Sequence, residues 1–274
     1  MSNGAERTSG AVPADGVTVR RPDDFPHVAE LVLDRPAALN AISTALAESI
    51  AARLADLAAD RTVRAIVLSS AVEKAFSVGA DLKERNALTD DELRRQRPVT
   101  RTAYNGVLNL PVPAIAAVHG FALGGGCELA LSCDLIVADE TAVFGLPEVS
   151  VGVIPGGGGT QLLARRIGWG RAADLIFTAR KVDAAEAYRL GLADRLVPTG
   201  EARTEALELA AQVARNSPVG VRSAKRAMRL GLDAALPAGL EIEDAAWRTT
   251  AFSGDRSEGI AAFNEKRTPD WPGE

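Results

Sequence analysis

A run of three glycines between an apolar strand and an apolar helix constrains this chain more than any other feature. Gly124-Gly125-Gly126 follows AIAAV (114–118), which predicts a buried strand, and it precedes a short helix predicted from about residue 125 to 133. The first N–H groups of a helix lack intrahelical partners and carry partial positive charge, and glycines let another group approach them. The segment therefore favours an α/β fold with a turn that can bind an oxyanion.

The same segment has a second interpretation. Gly120-x-Ala122-x-x-Gly125 is close to the dinucleotide-binding fingerprint, and Asp139 and Glu140 follow about 20 residues later, at the end of a predicted strand. This pattern would indicate a nicotinamide-dependent oxidoreductase. The helix that follows is short for a Rossmann crossover, however, and the motif lies far from the N-terminus, where the first βαβ unit usually occurs.

A second glycine-rich segment, FGLPEVSVGVIPGGGGTQ (144–161), contains Glu148 directly before an apolar stretch. Burial would raise the pKa of this carboxyl group, which suits a general acid. Glycines 156–159 are not followed by Gly-Lys-Ser/Thr, so they are not a P-loop, and they could form a flexible surface turn. Glu128, in the first turn of the earlier helix, could be a surface carboxylate that favours the helix dipole. The two segments together provide two carboxylates and two glycine-rich turns.

Charge and hydropathy exclude several classes of protein. The 274 residues include 31 basic and 36 acidic side chains, a net charge of −5, and no basic stripe that could bind nucleic acid through its phosphates. No apolar run reaches the roughly 18 residues that predict a transmembrane helix. Residues 1–16 lack the apolar stretch of a signal peptide, and we predict that they form a disordered leader.

Few side chains are available for metal binding or nucleophilic catalysis. Cys127 and Cys133 fit no CxxC pattern, and without a secretion signal we expect reduced thiols in a cytoplasmic protein. His27 and His119 are the only histidines, so a histidine-based zinc site or a Ser-His-Asp triad would need one of them. GxSxG and HExxH are both absent, and we expect no metal site.

Apolar periodicity predicts an α/β core followed by helices. Strands are predicted over residues 17–20, 27–33, 64–69, 114–118 and 135–138. Ser43 is a candidate N-cap for one helix, and residues 90–108 are predicted to form another. From about residue 201 the pattern is helical only. We therefore predict an α/β core over residues 17–200 and a helical region over residues 201–274.

Five motifs, spread over most of the chain, form a specific combination. They are FSVGADLKER (76–85), PVPAIAAVHGFALGGGCELALSCD (111–134), FGLPEVSVGVIPGGGGTQ (144–161), DAAEAYRLGLADRLVP (183–198) and EGIAAFNEKR (258–267). With these motifs the chain resembles the crotonase superfamily of enoyl-CoA hydratases and isomerases over roughly residues 17–267. The resemblance implies a spiral of ββα turns with a C-terminal helical region that forms homotrimers, or dimers of trimers.

The resemblance also implies a chemistry, the stabilisation of the enolate of an acyl-CoA thioester. At the matching motif positions, the backbone N–H groups of Ala80 and Gly125 would hold the thioester oxygen. Hydratases of the superfamily carry two glutamates, and at those positions Glu128 would activate the water and Glu148 would donate the proton. The N–H of Gly156 would help to hold the water. The titrations of the two carboxyl groups would be coupled, because they share a water and a proton.

Coenzyme A is part of the substrate in this family, so no separate cofactor is expected. By resemblance, Lys83 lies near the CoA phosphates, and Lys74 flanks the same loop. Lys266, together with Phe263, matches a C-terminal position that reaches the CoA of a neighbouring subunit. Each of these lysines could instead be a solvated surface residue.

Backbone groups near Ala38, Val78 and Leu82 would cradle the adenine. Some hydratases have a lysine at the position of Ala37, so one phosphate contact is in doubt, and Arg35 is a candidate to replace it.

The resemblance favours an enoyl-CoA hydratase that adds water syn to a trans-2-enoyl-CoA and gives a 3-hydroxyacyl-CoA, as in fatty-acid β-oxidation. ADLKER, NLPVP, IPGGGGTQ and SPVGVRSAKRAM are similar to methylglutaconyl-CoA hydratases, which leaves that substrate open. The family also includes isomerases and non-catalytic acyl-CoA-binding proteins, and the chain could be either of these. Residues 85–101 mix acids with arginines, so we expect neither RNA binding nor a membrane partner.

Overall fold

The structure, a computed structural model, describes residues 16–274, so the predicted leader lies outside the described residues apart from Gly16. The strands are β1 (Val17–Arg20), β2 (Val28–Leu33), β3 (Ala65–Ser70), β4 (Ala75–Ser77), β5 (Ala114–Val118), β6 (Phe121–Leu123), β7 (Leu135–Asp139), β8 (Val143–Gly145), β9 (Lys181–Asp183) and β10 (Arg195–Val197). The α-helices are α1 (Thr44–Ala59), α2 (Leu82–Ala87), α3 (Asp90–Leu108), α4 (Gly125–Ser132), α5 (Gly159–Ile167), α6 (Trp169–Thr178), α7 (Ala184–Leu190), α8 (Ala202–Ala214), α9 (Pro218–Gly231), α10 (Leu236–Ala251) and α11 (Gly254–Glu265). Short 3-10 helices cover Pro36–Ala38 and Pro147–Val151.

The strands form two sheets that the chain visits alternately. The larger sheet has the order β1-β2-β3-β5-β7-β10 and is parallel except for the β1–β2 pair. The smaller sheet has the order β4-β6-β8-β9, and only its β8–β9 pair is antiparallel. Three consecutive ββα units begin at β3, β5 and β7. In each unit the first strand belongs to the larger sheet, the second strand belongs to the smaller sheet, and one or two α-helices follow. This arrangement confirms the predicted spiral of ββα turns.

The larger sheet is buried on both faces, because successive side chains of a strand point to opposite sides. In β3, Ile66 and Leu68 join the main core, while Ala65 and Val67 pack into a second cluster on the other face. Helix α8 covers that second face with small and apolar side chains, including several alanines. The helix belongs to the predicted helical region 201–274, yet it packs directly on the sheet. The division into a core and a trimerisation region stays a prediction.

The helix boundaries follow from capping side chains that the sequence already displays. Ser43 caps α1 by accepting a hydrogen bond from the N–H of Leu46 (3.2 Å), as predicted. Thr89 and Glu92 form a reciprocal capping box at the start of α3. The predicted N-cap at Ser43 is confirmed, and the Thr89 capping box is a start signal that the prediction of a helix over residues 90–108 did not use.

The glycine-rich segment after β5 is not a simple turn, which corrects one expectation. Strand β6 lies inside it and pairs with β4 on one side and β8 on the other. Three residues are too few for hydrophobic periodicity to distinguish a strand from a turn. Because a strand of the second sheet separates β5 from the eight-residue α4, the dinucleotide-binding interpretation is wrong for this segment.

The last helices leave a large apolar surface exposed. Helix α10 has no buried side chain, and the exposed apolar residues on and next to it are Leu236, Leu240, Trp247 and Phe252. Within residues 16–274, no helix is both long enough and apolar enough to span a bilayer.

Cys127 and Cys133 are buried free thiols.

Candidate active site

A buried asparagine positions the loop that leads to Ala80. Asn40 donates from Nδ2 to Ser70 Oγ (2.8 Å) and to the Phe76 carbonyl (2.9 Å), and its Oδ1 accepts from the N–H of Arg35 (2.7 Å). These bonds tie the turn after β2 to the ends of β3 and β4. Since every polar atom of the side chain is used in a buried site, the turn has little freedom to move.

A one-residue parallel bridge with Ile42 turns the Ala80 N–H toward a cavity. The Ile42 N–H donates to the Gly79 carbonyl (2.6 Å), and the Asp81 N–H donates to the Ile42 carbonyl (3.1 Å). In such a parallel bridge, the residue between the two bonded groups directs its own N–H to the opposite side. The Ala80 N–H therefore points away from Ile42. Ala80 lines a cavity of about 1190 Å³, whose other walls are formed by α3, α4 and residues 147–162.

The start of α4 supplies the second predicted donor. Gly125 is the first residue of α4, so its N–H has no intrahelical acceptor. The Ala80 loop packs closely against it, because a Cβ on Gly79 would lie only 2.8 Å from the Gly125 nitrogen. A Cβ on Gly126 would lie 2.1 Å from the Ser77 carbonyl oxygen, so no larger residue fits there. The structure thus brings Ala80 and Gly125 together at one side of the cavity.

Glu128 is buried in the first turn of α4 and is held by the second glycine-rich segment. Its Oε1 accepts hydrogen bonds from the N–H groups of Gly157 (2.6 Å) and Gly159 (2.8 Å). Burial raises the pKa of the Glu128 carboxyl group, although these N–H groups, that of Gly156 and the charge of Arg97 partly offset the effect. The four glycines form an anchor for Glu128, so the interpretation as a flexible surface turn is wrong.

Glu148 lies in a different environment, in the 3-10 helix after β8. Its Oε2 is buried and has no hydrogen-bond partner among the described residues. Its Oε1 lies against Gly124, where an added Cβ would be 3.2 Å away. Burial, reinforced by the negative charge of Glu128, raises the pKa of Glu148 to about 7. A large fraction of the Glu148 carboxyl groups is therefore still protonated near neutral pH, as a general acid requires.

Tyr104, on α3, fills the space between the two glycine-rich segments. An added Cβ on Gly125 would lie 2.4 Å from its hydroxyl oxygen, and one on Gly157 would lie 2.8 Å from its ring. Burial and the charge of Glu128 raise the pKa of the Tyr104 hydroxyl, so it stays neutral. Tyr104 consequently limits the space beside Gly125 and supports the loop that holds Glu128.

Arg97, also on α3, contacts the same loop. Its Nη2 donates to the Gly156 carbonyl (2.5 Å). Neither Arg97 nor Tyr104 was selected from the sequence. Their spacing of seven residues on a predicted helix, which places both on one face, was the signal that could have found them.

The cavity of about 1190 Å³ lies between α3, α4 and the segment from residue 147 to 162, and Arg97 and Tyr104 line it. It contains Ala80, Gly125, Glu128, Glu148 and Gly156, the five residues predicted to be catalytic. In the described part of the chain, no three His, Cys, Asp or Glu side chains are grouped as a metal site would need. Two carboxyl groups and two free backbone donors can together polarise a carbonyl group and transfer protons next to it.

The residues predicted to bind CoA divide into two groups. Val78 and Leu82 line the cavity, next to Ala80. Ala38 is half-buried nearby, where the carbonyl of the following residue, Leu39, accepts from the Val78 N–H (3.2 Å). Lys83 lies in the first turn of α2 with an exposed side chain, and neither Lys83 nor Ala38 lines the cavity itself.

The second group of predicted CoA-binding residues lies outside the cavity wall of this chain. Lys74 is exposed, and its carbonyl accepts from the Phe121 N–H (3.2 Å). Phe263 is 85% exposed near the end of α11, and Lys266 ends that helix in a left-handed conformation. Their contacts with CoA stay predictions.

Arg35, the candidate to replace a lysine at Ala37, is already bonded within the protein, and its contact with a CoA phosphate stays a prediction. Its Nη1 forms an ion pair with Asp81 (2.7 Å) and also donates to the Ala41 carbonyl (2.7 Å). Although burial opposes ionisation, Arg35 and the N–H groups at the start of α2 hold the pKa of Asp81 below its usual value. Arg35 therefore stabilises the N-cap of α2, next to the oxyanion loop.

Comparison with known proteins identifies the family. The family model described as enoyl-CoA hydratase/isomerase matches residues 26–274. The mitochondrial methylglutaconyl-CoA hydratase of Mus musculus is 42% identical over 248 residues, which cover 89% of this chain and 79% of that protein. The mitochondrial enoyl-CoA hydratase domain-containing protein 2 of Homo sapiens is 39% identical over 273 residues, which cover 97% and 93%.

A solved structure shares the fold as well. The enoyl-CoA hydratase from Bacillus anthracis superimposes with a TM-score of 0.91 at 42% identity, covering 94% of this chain and 100% of that chain. Fold and site together define a crotonase-type enzyme that acts on acyl-CoA thioesters. The chain belongs to the enoyl-CoA hydratase/isomerase family.

Proposed function

We propose that the protein is an enoyl-CoA hydratase, which adds water syn to a trans-2-enoyl-CoA and gives a 3-hydroxyacyl-CoA. One observation carries the proposal. Two glutamates with different environments share one cavity with two unpaired backbone donors. Hydration needs both a base for the water and an acid for the α-carbon, whereas moving a double bond needs only one group that transfers a proton.

The oxyanion donors act first. The N–H groups of Ala80 and Gly125 hydrogen-bond to the thioester oxygen and stabilise the negative charge that develops there when the β-carbon is attacked. Because both belong to the fixed backbone, they need no reorganisation as the charge appears. Only their main-chain atoms matter, which is consistent with small residues at both positions.

The glutamates then divide the proton transfers. Glu128 takes a proton from the water as its oxygen bonds to the β-carbon, and Glu148 gives its proton to the α-carbon on the same face. The pKa of about 7 for Glu148 supports its role as the acid. The N–H of Gly156, which faces Glu128, is proposed to hold the water.

The substrate is tested with a panel of thioesters. Loss of the enoyl-thioester absorbance is expected with crotonyl-CoA or with 3-methylglutaconyl-CoA, the substrate indicated by the name of the mouse relative. If neither reacts and a 3-enoyl-CoA shifts its double bond, the protein is an isomerase. If acyl-CoA binds without any turnover, the protein is a non-catalytic member of the family.

We also propose that the protein assembles as a homotrimer, or as a dimer of trimers, through its C-terminal helices. The exposed apolar side chains on and next to α10, such as Trp247 (62% exposed) and Phe252 (86% exposed), support burial against another copy. Phe263 and Lys266 would then approach the CoA of the neighbouring subunit. Light scattering of the full chain, and of a Trp247→Ser variant, tests the assembly. A monomeric parent protein would contradict it.

A further inference from the structure

The wall of the active-site cavity carries an unusual amount of positive charge for an acidic protein. Arg85 of α2 and three arginines of α3 line it, against three acids. The α3 arginines are Arg94, Arg97 and Arg101, and the acids are Asp90, Glu128 and Glu148. Since Glu148 is only partly ionised near neutral pH, the cavity is more positive than the number of its acids indicates.

Three of these arginines have no acidic partner. Arg94 forms an ion pair with Asp91 (2.6 Å), but Arg85, Arg97 and Arg101 form none with any residue among 16–274. The single hydrogen bond of Arg97, to the Gly156 carbonyl, uses one of its five N–H donors. We call Arg85, Arg97 and Arg101 the cavity arginines. They leave three guanidinium groups available to a ligand.

The position of the cavity arginines indicates which end of a bound acyl-CoA they would contact. Arg97 and Arg101 are four residues apart on α3, so they lie on one helix face. Arg97 bonds to Gly156, the next residue of the same loop donates to Glu128, and Glu128 is the proposed base at the β-carbon. If Glu128 is the base at the β-carbon, Arg97 is close to the acyl carbons beyond that atom, and the CoA phosphates lie at the other end of the pantetheine arm.

We propose that the cavity arginines bind a second carboxylate, located on the acyl chain beyond the β-carbon, so that the preferred substrate is a dicarboxylic enoyl-CoA. A guanidinium group pairs with a carboxylate through parallel N–H···O bonds, which gives orientation as well as affinity. The inference rests on the proposed hydratase activity and names its substrate class.

Binding of unreactive thioesters tests the inference separately from catalysis. Glutaryl-CoA and pentanoyl-CoA have the same five-carbon chain and differ only in a terminal carboxylate or methyl group. By calorimetry, the full-length protein is expected to bind glutaryl-CoA about 10- to 100-fold more tightly, since hydrogen bonds to charged groups are worth about 1.5–3 kcal/mol. Equal affinity for the two ligands would overturn the inference.

Variants identify the residues that read the carboxylate. Arg97→Gln and Arg101→Gln are each expected to remove most of the preference. Arg101→Gln, which breaks no contact with the loop that holds Glu128, is also expected to leave pentanoyl-CoA affinity within about threefold of the parent value. Arg95→Gln is the matched control, because Arg95 is an exposed arginine of the same helix outside the cavity. If the variants weaken both ligands equally, the arginines bind the shared CoA phosphates and the inference is wrong.

Turnover separates this inference from the proposed function. With trans-glutaconyl-CoA and trans-2-pentenoyl-CoA, the kcat/KM ratio of the parent protein is expected to follow the binding preference. If neither thioester is hydrated but glutaryl-CoA still binds more tightly than pentanoyl-CoA, the hydratase proposal fails and the carboxylate site stands.

Discussion

The two glycine-rich segments of this protein have similar compositions and opposite uses. In residues 124–126 the glycines let the Ala80 loop, Ser77 and Tyr104 approach the start of α4, and the N–H of Gly125 stays free. In residues 156–159 the N–H groups of Gly157 and Gly159 are already bonded to a carboxylate of the protein, Glu128. The first segment keeps its donors for the substrate, and the second uses its donors to hold the base.

The same contrast separates the two glutamates. Glu128 is fixed by charge-assisted hydrogen bonds, whereas one oxygen of Glu148 is buried without a partner among the described residues. A carboxylate that is held by N–H groups can carry its charge, and one without partners keeps its proton. The difference lies in which main-chain groups face each side chain, and it assigns the base and the acid.

Replacing either glutamate with glutamine should have the largest effect. Each of Glu128→Gln and Glu148→Gln is expected to lower kcat by about 10²–10⁴-fold, the range of general acid–base catalysis. Steady-state hydration of the best substrate is the measurement. A near-normal rate in either variant would remove that residue from the mechanism.

The two variants should differ in stability. Glu128→Gln replaces charge-assisted bonds with weaker neutral ones, so its Tm should fall. Glu148→Gln loses no hydrogen bond at Oε2, so its Tm should not fall at neutral pH. Equal losses of Tm would contradict the contrast between the two sites.

Removing the free N–H of Gly125 should have the next largest effect. Proline is tolerated at the first position of a helix, so Gly125→Pro deletes the donor at a position that accepts the ring. A Tyr104→Phe background removes the hydroxyl oxygen that a new Cβ would meet at 2.4 Å. The expected loss in kcat is about 10²–10³-fold.

Gly125→Ala in the same background is the control, because it adds a Cβ and keeps the N–H. The rate difference between the proline and alanine variants measures the donor alone. If the two variants have the same rate, Gly125 does not bind the thioester oxygen.

Disturbing the loop that holds Glu128 should have a smaller effect. In Gly157→Ala the new Cβ would lie 2.8 Å from the Tyr104 ring, so either the ring or the loop must shift. The expected loss of unfolding free energy is about 1–3 kcal/mol, measured by denaturant titration, together with a lower kcat.

Gly170→Ala is the matched control on α6, where no atom lies within 4 Å of the new Cβ. It should be neutral or stabilising by up to about 1 kcal/mol, because alanine favours helices. A Gly157→Ala variant as stable as Gly170→Ala would show that the loop adapts without strain.

The smallest effect concerns pH. Glu148 must be protonated to act as the acid, so kcat/KM should decline as pH rises through about 7, where the group loses its proton. The pH profile of the parent enzyme is the measurement. A profile that stays flat to pH 9 would exclude Glu148 as the acid.

Stability should follow the same titration. The pKa of Glu148 is raised from 4.5 to about 7 by folding, so ionisation penalises the folded state progressively between those values and fully above them. Glu148→Gln carries no charge. Its Tm relative to the parent protein should therefore increase from pH 4.5 to pH 7 and remain constant beyond.

Much of the fold was predictable because its signals are local. Ser43 and Thr89 mark helix starts in the sequence, and the buried strands β3, β5 and β7 are continuous apolar runs. Strand β6 was missed because it is three residues long and its strand character comes from its neighbours in the second sheet.

The candidate site was predictable in part. The motifs identify Ala80, Gly125, Glu128 and Glu148, and the structure places all four in one cavity. Arg97 and Tyr104 were missed because they lie on α3, in none of the motifs. Their importance comes from contacts with residues far along the chain, such as that of Arg97 with Gly156, 59 positions later.

The sequence by itself determined the family, the helices and strands with strong local signals, and the pair of glutamates with their glycine-rich neighbours. Only the tertiary structure decided which glycine N–H groups remain free, which glutamate keeps its proton and which arginines lack a partner. The physical reason is that hydrogen bonding and burial depend on groups far apart in the chain, and these set both the pKa of a carboxyl group and the availability of a donor.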